Sequence, residues 1–238
     1  MSAARSAPTA RLVPLVAAAV AALVLVTAPA SAQQTVNFTL GGFVPRDYDS
    51  RVHGDVLVAN RDFLVFRISD FHSWAVGGEW LIPFGRFVEG GVGLSYTRQT
   101  VPSVYADFVD SDGTEIEQET RLQRLPVDFT VRVLPFGQGS PIQPYVGGGL
   151  TAIRWHYSEF GEFVDFDAGR RVFEGEFSAD GSRAGLVALG GVRFGNKRAT
   201  AGFEVRYYRA DAELDDRFAG SRLDLGGWTY QATGGFRF

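Results

Sequence analysis

The chain has 238 residues, 23 Lys and Arg against 27 Asp and Glu, and no cysteine. The lack of cysteine excludes a disulfide framework and a lipid-anchored lipoprotein. The net charge of −4 argues against nucleic acid as a partner, because phosphate binding needs a basic surface.

Arg5 and Arg11 carry the only charges before an apolar run from Leu12 to Val26, which Pro14 interrupts near its start. Ala30-x-Ala32 follows, the small-residue cleavage pattern of a secretory signal peptide. The run is shorter than the roughly 20 apolar residues that a membrane-spanning helix needs. Residues 1–32 therefore read as a signal peptide. The remaining 206 residues, 33–238, suit one domain and carry a net charge of −6.

Beyond Ala32 the dominant pattern is alternation with period two, the signature of strands with one apolar side. Val36, Phe38, Leu40, Gly42 and Val44 alternate with Asn37, Thr39 and Gly41. The segment Asp55–Asp70 is too apolar for a bare loop and reads as a structured first loop, with an extra hairpin, giving ten strands, as the alternative. Trp74, Val76, Gly78, Trp80 and Ile82 alternate with Ala75, Gly77 and Glu79, and Val88, Val92, Leu94 and Tyr96 with Glu89, Gly91, Ser95 and Thr97. Leu125, Val127, Phe129, Val131 and Val133 alternate with Arg124, Asp128, Thr130 and Arg132; Pro126 interrupts this strand and points to a bulge or a position above the membrane. Tyr145, Ile153, Trp155 and Tyr157 read as one apolar face opposite Arg154 and His156, across a glycine-rich middle. Ala184, Leu186, Ala188, Val192 and Phe194 alternate with Arg183 and Arg193, and Ala201, Phe203, Val205 and Tyr207 with Thr200, Glu204, Arg206 and Tyr208. In the last strand Trp228, Tyr230, Ala232, Gly234, Phe236 and Phe238 face away from Thr229, Gln231, Thr233 and Arg237.

These are eight strands. Short connections at Pro83-Phe84-Gly85, Pro135-Phe136-Gly137 and Gly195-Asn196-Lys197 alternate with long loops at about 45–72, 100–119, 158–181 and 212–223. The expected fold is all-β: an eight-stranded antiparallel up-and-down transmembrane β-barrel. The charges set its polarity. Glu79, Glu89, Asp128 and Glu204 share the polar sides with Arg124, Arg132, Arg154, Arg183, Arg193, Arg206 and Arg237, too many for the core of a water-soluble barrel. With the apolar sides against lipid, these charges pair in a polar lumen. Trp74 and Phe84, Tyr145 and Trp155, and Trp228 and Phe238 are spaced by ten residues, about 25 Å of tilted strand, the height of the apolar band.

With Phe238, Phe236, Gly234, Ala232 and Tyr230 on one face of its last strand, the chain resembles the small eight-stranded outer-membrane proteins, a family that includes the membrane domain of OmpA, OmpX and OmpW. The resemblance implies residence in a bacterial outer membrane, with insertion by the β-barrel assembly machinery through the C-terminal strand. Outer-membrane lipid and lipopolysaccharide are then the surroundings, and a monomer is expected. It is silent on activity.

Three functions stay open: a structural or surface-interaction barrel with a packed lumen, which is preferred; a narrow channel for small solutes; and a membrane-embedded lipid A hydrolase. The last rests on His156-Tyr157-Ser158, similar to the His-x-Ser of outer-membrane lipid A deacylases, with Asp165 or Asp167 as third member. Both side chains would face the lumen, away from a lipid substrate, so no catalytic residue is assigned. Asp110-Ser-Asp112-Gly113 is part of a calcium-loop pattern without its third acid or spacing. The acids of residues 107–119 and 159–180 read as solvated loops, and no metal or cofactor site is assigned. Intact-mass measurement of the protein from the membrane fraction is expected to give a chain starting at Gln33; a mature chain that retains Met1 contradicts the signal-peptide assignment.

Overall fold

The computed structural model describes residues 33–165, 169–196 and 198–238. The expected signal peptide, Asp167 and Lys197 lie outside the described residues. Eight long strands follow one another: β1 (Thr35–Pro45), β2 (Ser73–Phe84), β3 (Val88–Val109), β4 (Glu115–Val133), β5 (Ile142–Asp165), β6 (Arg171–Gly195), β7 (Ala199–Arg209) and β8 (Gly227–Arg237). Each pairs antiparallel with its neighbours in sequence, and β1 pairs with β8, as at Val36↔Phe236, to complete the ring. Closure leaves no sheet edge in the ring, the condition for a sheet to cross hydrocarbon.

The burial pattern fixes which side faces lipid. Phe38, Trp74 and Phe236 are 65%, 77% and 64% exposed, whereas Glu79, Arg132 and Glu204 are at most 4% exposed. Apolar outside and charged inside is the inverse of a soluble barrel and the architecture of an outer-membrane β-barrel. Aromatic side chains mark the rims of the apolar band. Trp80 donates its indole N–H to Gln34 (2.9 Å) near the start of β1, and the rings of Tyr207 and Trp228 meet at 4.7 Å toward the opposite end.

Two differences from the sequence reading share one cause. The segments 100–119 and 158–181 are not loops; they are continuations of β3, β4, β5 and β6, joined by short tips. Above the apolar band these strands reverse their polarity. Outward positions become polar (Arg98, Gln123, Arg154, Asp180), while Val101, Ile116, Leu122, Ile153, Trp155 and Tyr157 turn inward into an apolar core. Outside the bilayer the barrel wall has water on its outer face, so the ordinary soluble alternation returns. This corrects the register of β5: Tyr145, Ile153, Trp155 and Tyr157 are interior, and Val146 and Leu150 face lipid instead. The Tyr145/Trp155 pair is therefore not part of an aromatic girdle. Arg154 is exposed on the outer surface rather than lumenal. The glycines at 147–149 hid the change by removing the side chains that mark a face.

Pro126 keeps its pairing with Ile153 of β5. Toward β3 the ladder is interrupted between Leu94↔Val127 and Thr97↔Arg124, with no change of register. The missing donor thus falls in a gap near the outer rim, not at a bulge. Segment 46–72 is a structured first loop: a helix at Val56–Asn60, two 3-10 turns, and a two-residue strand, Leu64–Val65, laid against Val104 and Tyr105. The ring therefore has eight strands, not ten.

Glycines on the inner wall let backbones and side chains close up. A Cβ on Gly149 would overlap the Phe129 carbonyl oxygen of β4. Gly149→Ala is expected to destabilise the barrel by about 1–3 kcal/mol as overpacking, read as a lower urea midpoint in detergent. An unchanged midpoint contradicts the close β4–β5 approach.

Candidate functional site

The lumen is the first place to look for chemistry, and its charged side chains are tied together. Arg132 of β4 pairs with Glu79 of β2, with Glu204 of β7 (2.9 Å) and more loosely with Glu89 of β3 (3.8 Å). Arg206 of β7 pairs with Glu79 (2.8 Å), Asp128 (2.6 Å) and Glu204 (2.6 Å). Arg193 of β6 meets Glu89 through two nitrogens, at 3.1 and 2.9 Å. Tyr208 donates to Asp128 (2.7 Å) and Gln231 to Glu204 (2.8 Å). Arg193 also donates to Gln143 of β5 (3.0 Å), so seven of the eight strands contribute to one lattice. Glycines opposite the large groups supply the room: the Tyr145 ring lies over Gly191, and a guanidinium nitrogen of Arg206 lies over Gly93.

The charge count of the lumen differs from the sequence expectation of three surplus arginines. Arg154 is outside the barrel, Arg183 pairs with Glu213 (3.2 Å) in the extracellular part, and Arg237 sits at the opposite mouth against Gln143 (2.9 Å). What remains inside is Arg132, Arg193, Arg206 and Arg124 against four carboxylates, so the interior is neutral. Arg124 is the exception in bonding. Its guanidinium carbon lies 3.8 Å from the centre of the Phe43 ring and 5.5 Å from that of Tyr208, with no carboxylate in ion-pair reach among the described residues. Stacking on rings partly offsets the cost of burying its charge.

Above this lattice a second one locks the first and last extracellular loops together. Asp55 caps the helix Val56–Asn60 by accepting from Leu57 N (3.0 Å) and Val58 N (3.3 Å). The same carboxylate pairs with Arg51 (2.7 Å) and accepts from Asp224 N (2.6 Å). Asp224 in turn pairs with Arg46 (2.6 Å) and accepts from Val52 N (3.0 Å). The helix so held delivers Val56 and Leu57 into the apolar core formed with Tyr105, Ile153, Trp155, Tyr157, Phe218 and Leu223. Asn60 donates to Glu159 (2.6 Å), which also accepts from Tyr157. Burial holds the Glu159 carboxyl above the usual carboxylate range, with the two donors working against that shift. The contacts that join the loops, Asp55 with Asp224, Asp224 with Arg46 and Val52, and Asn60 with Glu159, were not legible from spacing, because their partners are far apart in sequence.

A solute path would have to cross both lattices and the apolar plug. At the mouth near the start of β1 and the end of β8 there is a cavity of about 50 Å³ whose lining includes Gln33, Gln138, Arg237 and the paired Arg193 and Glu89.

The remaining sequence candidates separate. His156 and Ser158 face outward, opposite to the expectation, so the objection that they point away from lipid does not hold. The Ser158 hydroxyl is nevertheless buried and without a hydrogen-bond partner, so it is not engaged with the imidazole of His156. Asp110-Ser-Asp112-Gly113 is the tip of the β3–β4 hairpin, where Asp112 accepts from Thr114 N (3.0 Å) and Thr114 Oγ1 (2.7 Å) and Gly113 takes a positive φ of 88°. Those bonds hold the Asp112 carboxyl below its ordinary value. Its resemblance to a calcium loop is turn chemistry. No group of three metal-ligating side chains occurs among the described residues.

Glu204 bonds to Arg132 across the lumen, to Arg206 on its own strand and to Gln231 on the neighbouring strand. Glu204→Ala is expected to cost about 3–5 kcal/mol of barrel stability, because it strands buried charge. The measurement is the denaturant midpoint in detergent, with Glu204→Gln intermediate. Wild-type stability in the alanine variant contradicts a dry, paired lumen.

No family model and no curated protein matches the chain. Among solved structures it is similar to Ail, the attachment invasion locus protein of Yersinia pestis, in complex with the heparin analogue sucrose octasulfate. The identity is 11% and the TM-score 0.46, with 87% of this chain and 99% of that chain covered. It is also similar to the N-terminal β-barrel domain of Pseudomonas aeruginosa OprF, at 14% identity and a TM-score of 0.40, with 87% of this chain and 100% of that chain covered.

Proposed function

We propose that this protein is a non-conducting surface-interaction barrel of the bacterial outer membrane, with its extracellular β5–β6 hairpin as the interacting element. The carrying observation is the contrast between a sealed interior and an open sheet edge. The two charge lattices and the apolar plug occupy the route that a channel would need. Strand β6, by contrast, pairs with β7 only from Leu186 to Gly195. From Arg171 to Gly185 its ladder runs to β5 alone; Arg183 and Gly185 lie against Glu213 and Ala210, and above them the other side is a row of backbone donors and acceptors. An extended segment of another protein adds to such an edge through main-chain hydrogen bonds.

The edge carries Glu174, Glu176 and Asp180, with Glu162 on the adjoining strand. Charges of this kind oppose self-association of edges and favour a basic extended partner. Assembly fits the same reading. Phe238 follows the last residue of β8 and exchanges two backbone hydrogen bonds with Gln34 (2.9 and 3.0 Å), sealing β8 to the start of β1, where the assembly machinery would engage the C-terminal strand.

Two measurements test this function. Refolded protein in planar bilayers is expected to be electrically silent, and steady single-channel current makes the narrow channel the correct reading. A soluble peptide alternating lysine with valine is expected to slow hydrogen exchange across residues 171–185 and leave 142–152 unchanged. Protection nowhere, or everywhere alike, contradicts the edge as the interaction element.

A further inference from the structure

One cavity of the barrel opens on its outer wall, not into its lumen. It has a volume of about 410 Å³ and lies where the apolar band ends. Its walls are the outward side chains of Tyr96 on β3, Gln123 and Leu125 on β4, Arg154 and His156 on β5, and Asp180 on β6. The strand register arranges them in two rows. Leu125, Arg154 and Ser182 are cross-strand neighbours in the lower row; Gln123, His156 and Asp180 are neighbours in the row above. The backbone pair Arg124↔Trp155 runs between the rows. Below the groove the outward positions of the same strands are Leu94, Val127, Leu150 and Leu186, a continuous apolar wall.

Three properties of the groove point to one kind of ligand. Its height is that of a lipid headgroup, with hydrocarbon below and water above. Its charged groups are unused: no side chain of Arg154, His156 or Asp180 makes a hydrogen bond or ion pair among the described residues, although Asp180 is the direct cross-strand neighbour of His156, and Gln123 accepts only a long bond from the Tyr96 hydroxyl (3.4 Å). Its donors are of the type that phosphate selects, a planar guanidinium beside an imidazole. By comparison Arg121, one step higher on the same wall, is already engaged with Thr100 (3.2 Å) and stacked on Phe160 (4.8 Å). We propose that this groove binds the phosphate-bearing headgroup of an outer-leaflet glycolipid. Arg154 and His156 hold the phosphate, Gln123 and Asp180 accept from sugar hydroxyls, and an acyl chain lies down Leu125, Val127 and Leu150. The site is independent of the lumen and of the β6 edge.

The test uses the mature protein in detergent micelles and native mass spectrometry, with bisphosphorylated lipid A and its dephosphorylated counterpart as probes. The double variant Arg154→Ala/His156→Ala is expected to bind phosphorylated lipid about tenfold more weakly than wild type and the dephosphorylated lipid equally well. Arg209→Ala removes an exposed outward arginine on β7, one strand beyond the groove and beside Leu186, and is expected to leave binding unchanged. All three side chains lie outside the buried lattices, and the denaturant midpoint confirms folding of each variant. The proposal is overturned if the double variant binds phosphorylated lipid like wild type, or if Arg209→Ala loses as much, which would reduce the effect to general surface charge. Inorganic phosphate separates the two sources of the anion. Millimolar phosphate is expected to compete weakly; full displacement of the lipid by phosphate would make the groove a free-anion site and also overturn the assignment.

Discussion

A closed ring of eight strands in lipid has an interior too narrow for bulk water and an exterior that tolerates no charge, and every other feature of the molecule follows from that constraint. Each strand must alternate, so half of its side chains point into a space where an unpaired charge is costly. The chain meets this with shared partners: Glu79 and Glu204 each serve both Arg132 and Arg206, and Glu89 serves Arg193 and, at longer range, Arg132. Small residues on the inner wall, such as Gly93 and Gly191, make the room that the large partners need. The lattice cross-links strands that are not hydrogen-bonded neighbours, and so braces the ring across its diameter.

The same constraint explains why the molecule is two structures joined end to end. Inside the bilayer the polar side faces in; above it, with water on the outer wall, the apolar side faces in and the loops fold down as a plug. The Arg46, Arg51, Asp55 and Asp224 cluster sits at the transition and joins the first loop to the last. At that height the outer wall passes from Leu125 to Arg154 within one cross-strand row, and this abrupt step forms the groove to which we assign a lipid headgroup. The β5–β6 hairpin runs on past its lateral neighbour and leaves the edge to which we assign surface interaction.

How much of this was legible in the sequence depended on whether one polarity rule held along a strand. For β1, β2, β7 and β8, which end near the outer rim, alternation gave the correct face throughout, and the residues read as lumenal on β7 are the ones that form the lattice. For β5 it failed, because Ile153, Trp155 and Tyr157 belong to the inward-facing core above the membrane and looked like a lipid face. Taking the strand extensions for loops had the same origin, since acids at 117, 119, 174 and 176 signal water on one side of a strand as readily as a loop. The plug contacts of Asp55 and Asn60 were out of reach, since their partners at 224 and 159 are set by folding rather than by spacing.

The inversion of polarity is the central claim, and the four tryptophans report it directly. Variants that retain one tryptophan each, the others replaced by phenylalanine, are placed in bilayers of brominated phospholipid and their fluorescence quenching is measured. Trp80 and Trp228, outward within the apolar band, are predicted to be strongly quenched. Trp155, 5% exposed and interior, is predicted to resist both brominated lipid and aqueous acrylamide. Quenching of Trp155 by lipid to the level of Trp80 would contradict the account, because it would put that face of β5 against the membrane.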